Sequence, residues 1–322
     1  MKKTVMSGLL AALAAGAVQA GTSCDFLLER ISLQGQDGAQ LQVQDRDGVC
    51  VMRRGQWNVE HASVVLAFDE LSFSGAGLDQ DAEEGALPRS LKLDVSGIYT
   101  LTGRLPGQDY LMRLQASPMR FGLDYEWDEQ AGRLHLKRAV LSGESLREIS
   151  LQAAAHAPAL AGRALHGDDL QALKLQSLAL RLDNVRLVQN MIMPAVVGFV
   201  GMYEDPRPAI QAALLAARTA VMVMPPATAP AASRKALLEF IGELPAPTGR
   251  LDLNLSFDPP LDSAALAGAQ SMDEARKALS SMKVQARYDR GELPAAYVRV
   301  RDWIRRVLAV SERPGNREEP VS

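Results

Sequence analysis

The chain offers few side chains whose type and spacing suit catalysis or metal binding. Only four histidines occur among the 322 residues: His61, His135, His156 and His166. None pairs with another at the i, i+4 spacing of a metal-binding helix, and no Cys-x-x-Cys motif is present. The sequence therefore predicts no metal site and implies no cofactor.

The serines that precede a glycine do not lie in a nucleophile motif. Neither Ser74 nor Ser142 has the Gly-x-Ser-x-Gly sequence of a nucleophile elbow. Gly75 and Gly77 lack the third glycine of a dinucleotide-binding loop. The sequence thus singles out no catalytic residue. A hydrolase that uses a carboxylate pair stays open as an alternative, because 38 acidic residues offer many pairs.

Three carboxylates, Asp124, Glu126 and Asp128, share one face of a predicted strand. Beyond the turn 129–132, the next predicted strand carries the basic residues Arg133, His135 and Lys137. Opposite charges on facing strands support their pairing. We therefore interpret the two strands as a hairpin with complementary outer charges. A cation bound by the three carboxylates is the alternative.

The N-terminus resembles an export signal. Met1-Lys2-Lys3 is followed by an apolar stretch from Val5 to Val18 and by the small-residue cleavage site Val18-Gln19-Ala20. We predict that residues 1–20 are a cleaved signal peptide and that the mature protein is periplasmic. No later stretch has the roughly 20 apolar residues of a membrane span, so we expect no transmembrane anchor after cleavage.

Cys24 and Cys50 are the two cysteines of the chain. In an exported protein, an even number of cysteines predicts a disulfide bond. Lipidation of Cys24 is the alternative, but no large aliphatic residue lies three positions before it, in Gly21-Thr22-Ser23. We therefore predict a Cys24–Cys50 disulfide that fixes the mature N-terminus to the first hairpin.

Methionine and other large apolar residues are concentrated in the centre of the chain, at Met191, Met193, Phe199 and Met202. Methionine is flexible and polarizable, so it suits a surface that accepts variable apolar ligands. We predict that these four residues contact a lipid or another apolar ligand. The alternative is that this segment only covers the apolar face of a sheet.

Alternation of apolar and polar residues predicts the strands that must position these side chains. Strands are expected at 41–52 with a turn at Asp45–Gly48, and then at 59–73, 91–101, 110–127, 134–141 and 146–153. Further strands are expected at 173–182, at 251–257 with an end at Pro259-Pro260, and at 284–288. Sequential hairpins of this kind imply an antiparallel meander.

Helices are predicted at 187–223, at 233–243 with Ser233 as N-cap, and at 272–282. The mixed order lacks the regular alternation of a parallel sheet. We therefore predict an α+β fold, an extended, curved antiparallel β-sheet meander that a Met/Ala-rich helical segment covers in its second half. The expected divisions are a β-rich half at 21–165, an α+β half at 166–310 and a disordered tail at 311–322.

Two segments carry a resemblance to a known group: the strand 178–185, followed by Ala-rich and Met-rich helices, and the strand 251–260. The chain resembles periplasmic proteins of Gram-negative bacteria that are distantly similar to the AsmA-like envelope proteins. The resemblance implies an extended β-structure with an apolar groove and a link to outer-membrane lipid homeostasis. AsmA-like proteins keep an N-terminal membrane anchor, whereas Val18-Gln19-Ala20 predicts cleavage here. The resemblance implies no catalytic residues.

Two main functions follow as hypotheses. The first is a soluble periplasmic protein that binds a lipid or another apolar ligand in envelope homeostasis. The second is a structural or interaction protein that engages an envelope protein through exposed strand edges and has a fully packed core. The net charge of −3 gives no electrostatic reason to expect nucleic acid as a partner.

Overall fold

The computed structural model describes residues 24, 25, 28, 33–36, 40–59, 64–77, 86–101, 109, 117–143, 147–183, 207–244, 247–262 and 281–291. The strands among them are β1 (Leu33–Gly35), β2 (Gln42–Arg46), β3 (Val49–Val59), β4 (Val64–Ala76), β5 (Ser90–Leu101), β6 (Met119–Asp128), β7 (Arg133–Gly143), β8 (Arg147–His156), β9 (Lys174–Asp183), β10 (Arg250–Asp262) and β11 (Met282–Asp289). The α-helices are α1 (Arg207–Met222) and α2 (Ala231–Glu243).

All eleven strands belong to one antiparallel sheet. From β3 to β11 each strand pairs with the next in the chain, while β1 and β2 both pair with β3. The pairing of β8 with β9 joins the two predicted halves, so the halves share one continuous sheet. The predicted α+β meander is confirmed.

Side-chain alternation and register together give the sheet one apolar face. Residues that pair directly across antiparallel strands point to the same face. One such row crosses nine strands and contains no polar side chain: Cys50, Phe73, Leu93, Leu123, Ala139, Leu151, Leu180, Leu253 and Ala286. We call this set the central row. The sequence pattern thus places apolar side chains in line across almost the whole sheet.

The first strands bury the centre of this apolar face. Cys50, Met52 and Phe73 have no measurable exposure, and Leu91 is 1% exposed. They belong to one cluster with Cys24, Phe68, Leu71, Leu93, Leu123, Tyr125 and Ala139. The predicted disulfide joins Cys24 to Cys50 within this cluster. The bond is confirmed, and it fixes the N-terminal segment to the main core.

Helix α2 covers the opposite end of the sheet and also closes its last edge. Its residue Ala236 packs with Leu251 and Tyr288 in a separate core. Two backbone N–H groups on the outer edge of β11 donate hydrogen bonds. Val284 N donates to Thr228 O at 2.7 Å, and Ala286 N donates to the side-chain Oγ of Ser233 at 3.1 Å. Helix α1 packs against α2.

Four local predictions differ from the structure. Ser233 is not an N-cap, because α2 begins after Pro230 and the Ser233 hydroxyl accepts from β11 instead. Strand β3 continues to Val59, since a distortion at Arg54 (φ 52°) shifts the alternation without ending the strand. Strand β10 passes through Pro259-Pro260, where its register with β9 shifts. Met282 begins β11 and does not end a helix.

Neither helix among the described residues is long and apolar enough to cross a bilayer. A disulfide bond forms and persists in oxidising compartments. The Cys24–Cys50 bond therefore indicates an oxidising compartment outside the cytoplasm. The predicted signal peptide and the predicted tail lie outside the described residues.

Candidate apolar ligand site

The apolar face is only half-buried where it crosses β8, β9 and β10. We define the apolar trough as the half-buried apolar side chains of these three strands that share this face: Ile149, Leu151, Ala153, Leu178, Leu180, Leu182, Leu253 and Leu255. A leucine in a packed core is normally excluded from water. The trough is therefore a part of the apolar face that the described residues leave incompletely covered.

Two cores flank the trough. On the first side, Leu151 packs against the cluster that contains Cys50 and Phe73. On the other side, Leu182 and Leu253 pack against the core under α2. Burial along the central row follows this arrangement: Phe73 is fully buried, whereas Leu180 is half-buried. The gap between the two cores is what creates the trough.

The register sets the dimensions of the trough. Strands are about 4.8 Å apart and rise about 3.3 Å per residue, so the three strands give a floor about 10 Å wide and 13 Å long. Leu178 faces Leu255, Leu180 faces Leu253, and Leu182 faces the buried Leu251. Such a floor has no hydrogen-bonding side chain, so it suits an apolar ligand without polar contacts.

The opposite face of the sheet is charged and solvated. A network on this face runs across β9, β10 and β11, with Arg181 2.6 Å from Asp252, Asp252 3.0 Å from Arg250, and Arg250 3.4 Å from Asp289. The hydrogen bond and the charge of Asp252 raise the pKa of Arg181. Exposed ion pairs contribute only about 0–1 kcal/mol each. The network therefore keeps this face in water and leaves the other face for apolar contacts.

The charged hairpin β6–β7 behaves as its sequence predicts. Lys137 Nζ lies 2.6 Å from Glu126 Oε2, and Arg138 pairs with Asp94 on β5 at 3.6 Å. The hydrogen bond and the charge of Lys137 lower the pKa of Glu126. Among the described residues, no three histidine, cysteine or carboxylate side chains lie close enough to hold a metal ion. The three carboxylates of this hairpin thus face basic partners, and the alternative of a cation site is not supported.

A buried carboxylate, Glu243, lies at the end of α2. Its Oε2 accepts from Tyr288 Oη at 2.6 Å and from both N and Oγ1 of Thr248 at 2.9 Å. Its Oε1 lies 3.0 Å from Arg290 Nε. The hydroxyl of Tyr288 also accepts from the backbone N–H of Gly249 at 3.1 Å. Because these contacts engage both oxygens, the cluster joins α2 to β10 and β11 and has a structural role.

The pKa values of this cluster follow from burial and hydrogen bonding. Burial raises the pKa of Glu243. The hydrogen bonds from Tyr288 and Thr248 and the charge of Arg290 together lower this pKa by more than burial raises it, so the net shift is downward. Burial and donation to Glu243 raise the pKa of Tyr288. Glu243 is therefore held ionised as an acceptor, and Tyr288 is held protonated as a donor.

The residues predicted to contact ligand, Met191, Met193, Phe199 and Met202, lie outside the described residues. The leucines of 178–182 and 251–255 are predicted from the sequence as strand residues, not as a ligand site. Their alternation was the available signal. Their incomplete burial depends on which elements pack above them, which alternation alone does not show.

Neither Ser74 nor Ser142 pairs directly with a histidine in the sheet. Ser74 lies in β4 and Ser142 in β7. His166 lies 3.5 Å from Asp169, within one turn of chain. None of these residues belongs to the apolar trough.

No protein-family model matches this chain, and no curated protein is significantly similar to it.

Proposed function

We propose that the protein binds a lipid or another apolar ligand in the periplasm and serves envelope homeostasis. The observation that carries the proposal is the apolar trough, in which three strands keep a continuous apolar floor half-buried. Contiguous apolar surface that is left partly exposed often marks a ligand-binding groove. The disulfide and the predicted signal peptide support the compartment, and the resemblance to AsmA-like proteins supports the ligand class.

The floor alone gives weak binding. An acyl chain that lays about six methylenes on the trough gains about 5 kcal/mol, at roughly 0.8 kcal/mol per buried methylene. That free energy corresponds to a Kd only about fivefold below 1 mM, before the cost of immobilising the ligand. Tight binding therefore requires a second wall. We infer that Met191, Met193, Phe199 and Met202 supply it.

The test fills the trough without making it polar. Ala153 lies on the trough face between Leu136 and Leu178, whereas the next residue, Ala154, pairs with His135 and Ser177 on the charged face. Ala153→Phe should displace ligand, and Ala154→Phe is the matched control. Steric overfilling costs about 1–3 kcal/mol, so we expect roughly tenfold weaker binding of a fluorescent fatty acid to the first variant.

Circular dichroism and the denaturation midpoint would show that both variants remain folded. Equal affinity of both variants for the fluorescent fatty acid would refute the trough as the ligand site. Weaker binding by Ala154→Phe alone would instead place the ligand on the charged face.

A further inference from the structure

Helix α1 and the turn after it expose apolar side chains that a packed helix would bury. Among the described residues, five large apolar side chains are exposed, and three lie here: Leu215 at 65%, Met222 at 57% and Val223 at 62%. Within the described side chains of α1, only Val221 is buried. Leu215 and Met222 are two turns apart on one helix face. This part of the chain thus presents an apolar surface to solvent.

The same segment is positively charged. From the start of α1 to the first turn of α2, the stretch 207–235 contains Arg207, Arg218, Arg234 and Lys235 but no acidic residue; Glu239 and Glu243 follow later on α2. Basic residues beside exposed apolar side chains are typical of an element that lies on an anionic lipid surface. The charge of the segment therefore indicates an anionic partner.

A groove between the two helices places these basic residues together. It has a volume of about 750 Å³, and Met222, Arg234 and Lys235 are among its lining residues. The guanidinium of Arg218 lies beside Gly242, which also lines the groove, 3.7 Å from where a Cβ atom would be. The basic side chains of the groove thus adjoin the apolar surface of α1.

Two arginines of this region have no carboxylate partner among the described residues. The acidic residues of the groove are already engaged, Glu239 with Lys235 at 3.9 Å and Glu243 with Arg290 at 3.0 Å. Arg234 donates through Nη1 to Met224 O at 3.3 Å. Its buried Nε has no hydrogen-bond partner in the described part of the chain. A buried donor without a partner is costly, and the residue that carries it lines the groove.

We propose that α1, the turn after it and the α1–α2 groove dock the protein on an anionic lipid bilayer. Leu215, Met222 and Val223 enter the interface between headgroups and acyl chains, and Arg218 and Arg234 contact the phosphates. A second copy of the chain fits this surface less well, because a symmetric dimer would place the basic residues of both copies together. The proposal goes beyond ligand binding, since it concerns residues away from the apolar trough.

Vesicle sedimentation of the mature protein tests this proposal. The probes are vesicles of equal parts phosphatidylethanolamine and phosphatidylglycerol, with vesicles of phosphatidylcholine as the neutral comparison. We expect binding to the anionic vesicles only, and weaker binding as the salt concentration rises. Arg218→Gln should weaken it about fivefold. Leu215→Ser combined with Met222→Ser should weaken it further, because both exposed side chains would no longer enter the interface.

Matched controls come from β2, which lies at the edge of the sheet opposite to β11 and its covering helices. Val43→Ser removes another exposed apolar side chain, 38% exposed, and Arg46→Gln removes another exposed arginine. Both should bind anionic vesicles as the unmodified protein does. Because Leu215 and Arg218 are exposed, their variants should remain folded, which thermal denaturation would check.

Several results would overturn the docking surface. These are no binding to anionic vesicles, equal binding to neutral vesicles, or equal losses in the β2 controls. A dimer that dissociates when Leu215 is replaced would instead assign the surface to a second copy. Ala153→Phe separates this proposal from ligand binding, because it should lose the fluorescent fatty acid and keep vesicle binding.

Discussion

At the residue scale, Glu243 shows how one buried carboxylate holds a helix on a sheet. The side chain is 10% exposed and receives hydrogen bonds from Tyr288 and Thr248. Desolvation of a charged group is unfavourable, so it requires compensating bonds of this kind. Here the bonds outweigh burial, which is why the pKa of Glu243 is lowered. The cluster thus converts a potential acid–base group into a structural contact.

Replacing Glu243 by Gln should destabilise the protein by about 1.5–3 kcal/mol, the range for hydrogen bonds to charged groups. Glu239→Gln, one turn earlier on α2, is the control and should cost less than about 1 kcal/mol, because its ion pair is long and partly exposed. Urea denaturation measures both values. Equal effects of the two substitutions would contradict the structural role of Glu243.

The same carboxylate predicts a pH dependence. The folded pKa of Glu243 lies below the unfolded one, so the stabilisation is complete above the ordinary value of about 4.3 and is lost as the pH falls through the folded pKa. Glu243→Gln should therefore lose less stability than the unmodified protein between about pH 5 and pH 2. Parallel acid-denaturation curves for the two proteins would argue against this linkage.

The disulfide is a second residue-scale contact with a measurable effect. Cys24 and Cys50 are 26 positions apart, and the chain-entropy estimate for such a loop is about 3 kcal/mol. Reduction should lower the free energy of unfolding by about this amount. A Cys24→Ala/Cys50→Ala variant should not respond to the same reductant. A response in that variant, or no change in the unmodified protein, would contradict the estimate.

At the element scale, the two edges of the sheet differ. Helix α2 and the chain before it accept hydrogen bonds from Ala286 and Val284 of β11, whereas all five residues of β2 are exposed. An uncovered edge offers unpaired backbone groups to other chains. The C-terminal edge is therefore protected by a helix, whereas two short strands, β1 and β2, form the other edge.

Ser233→Ala tests the edge contact. Ser233 is 5% exposed and accepts from the Ala286 N–H, so loss of its hydroxyl leaves a partly buried donor unsatisfied at a cost of up to about 1–3 kcal/mol. Amide hydrogen exchange at Ala286 should accelerate. Ser256→Ala, at an exposed position of β10, is the control and should change neither quantity. Unchanged exchange at Ala286 would show that the hydroxyl does not secure this edge.

Much of the element pattern could be predicted from the sequence, because strands with one buried face alternate clearly. The limits of β5 and β7 and the turn between β2 and β3 agree with the prediction within a few residues. The prediction was wrong where local distortions preserve pairing, as at Arg54 and at Pro259-Pro260. It was also wrong for Ser233, because the competing acceptor role depends on a strand that follows some fifty residues later.

At the scale of the whole molecule, the described residues form three buried apolar clusters, and a less buried region of the sheet lies between two of them. The central row is apolar along its full length, yet its burial falls from Phe73 to Leu180. Composition and alternation predict the apolar row, whereas the loss of cover depends on long-range packing. The apolar residues of the proposed site could thus be predicted from the sequence, whereas their partial exposure could not.

The predicted second wall of the site has its own test. Met193→Asp combined with Phe199→Asp should lower ligand occupancy at least tenfold, because charges at an apolar contact cost well over the roughly 1.4 kcal/mol of a tenfold change. The sheet should remain folded by circular dichroism. Loss of folding, with unchanged occupancy per folded molecule, would assign these residues to the core instead.

The measurement that tests the central claim most directly is mass spectrometry of the mature protein purified from its own cells, first under native conditions and then after solvent extraction. We expect a co-purifying apolar molecule that denaturation releases and whose amount Ala153→Phe reduces while Ala154→Phe does not. A bare polypeptide in every preparation, together with no binding of an added fatty acid, would contradict a ligand site in the apolar trough.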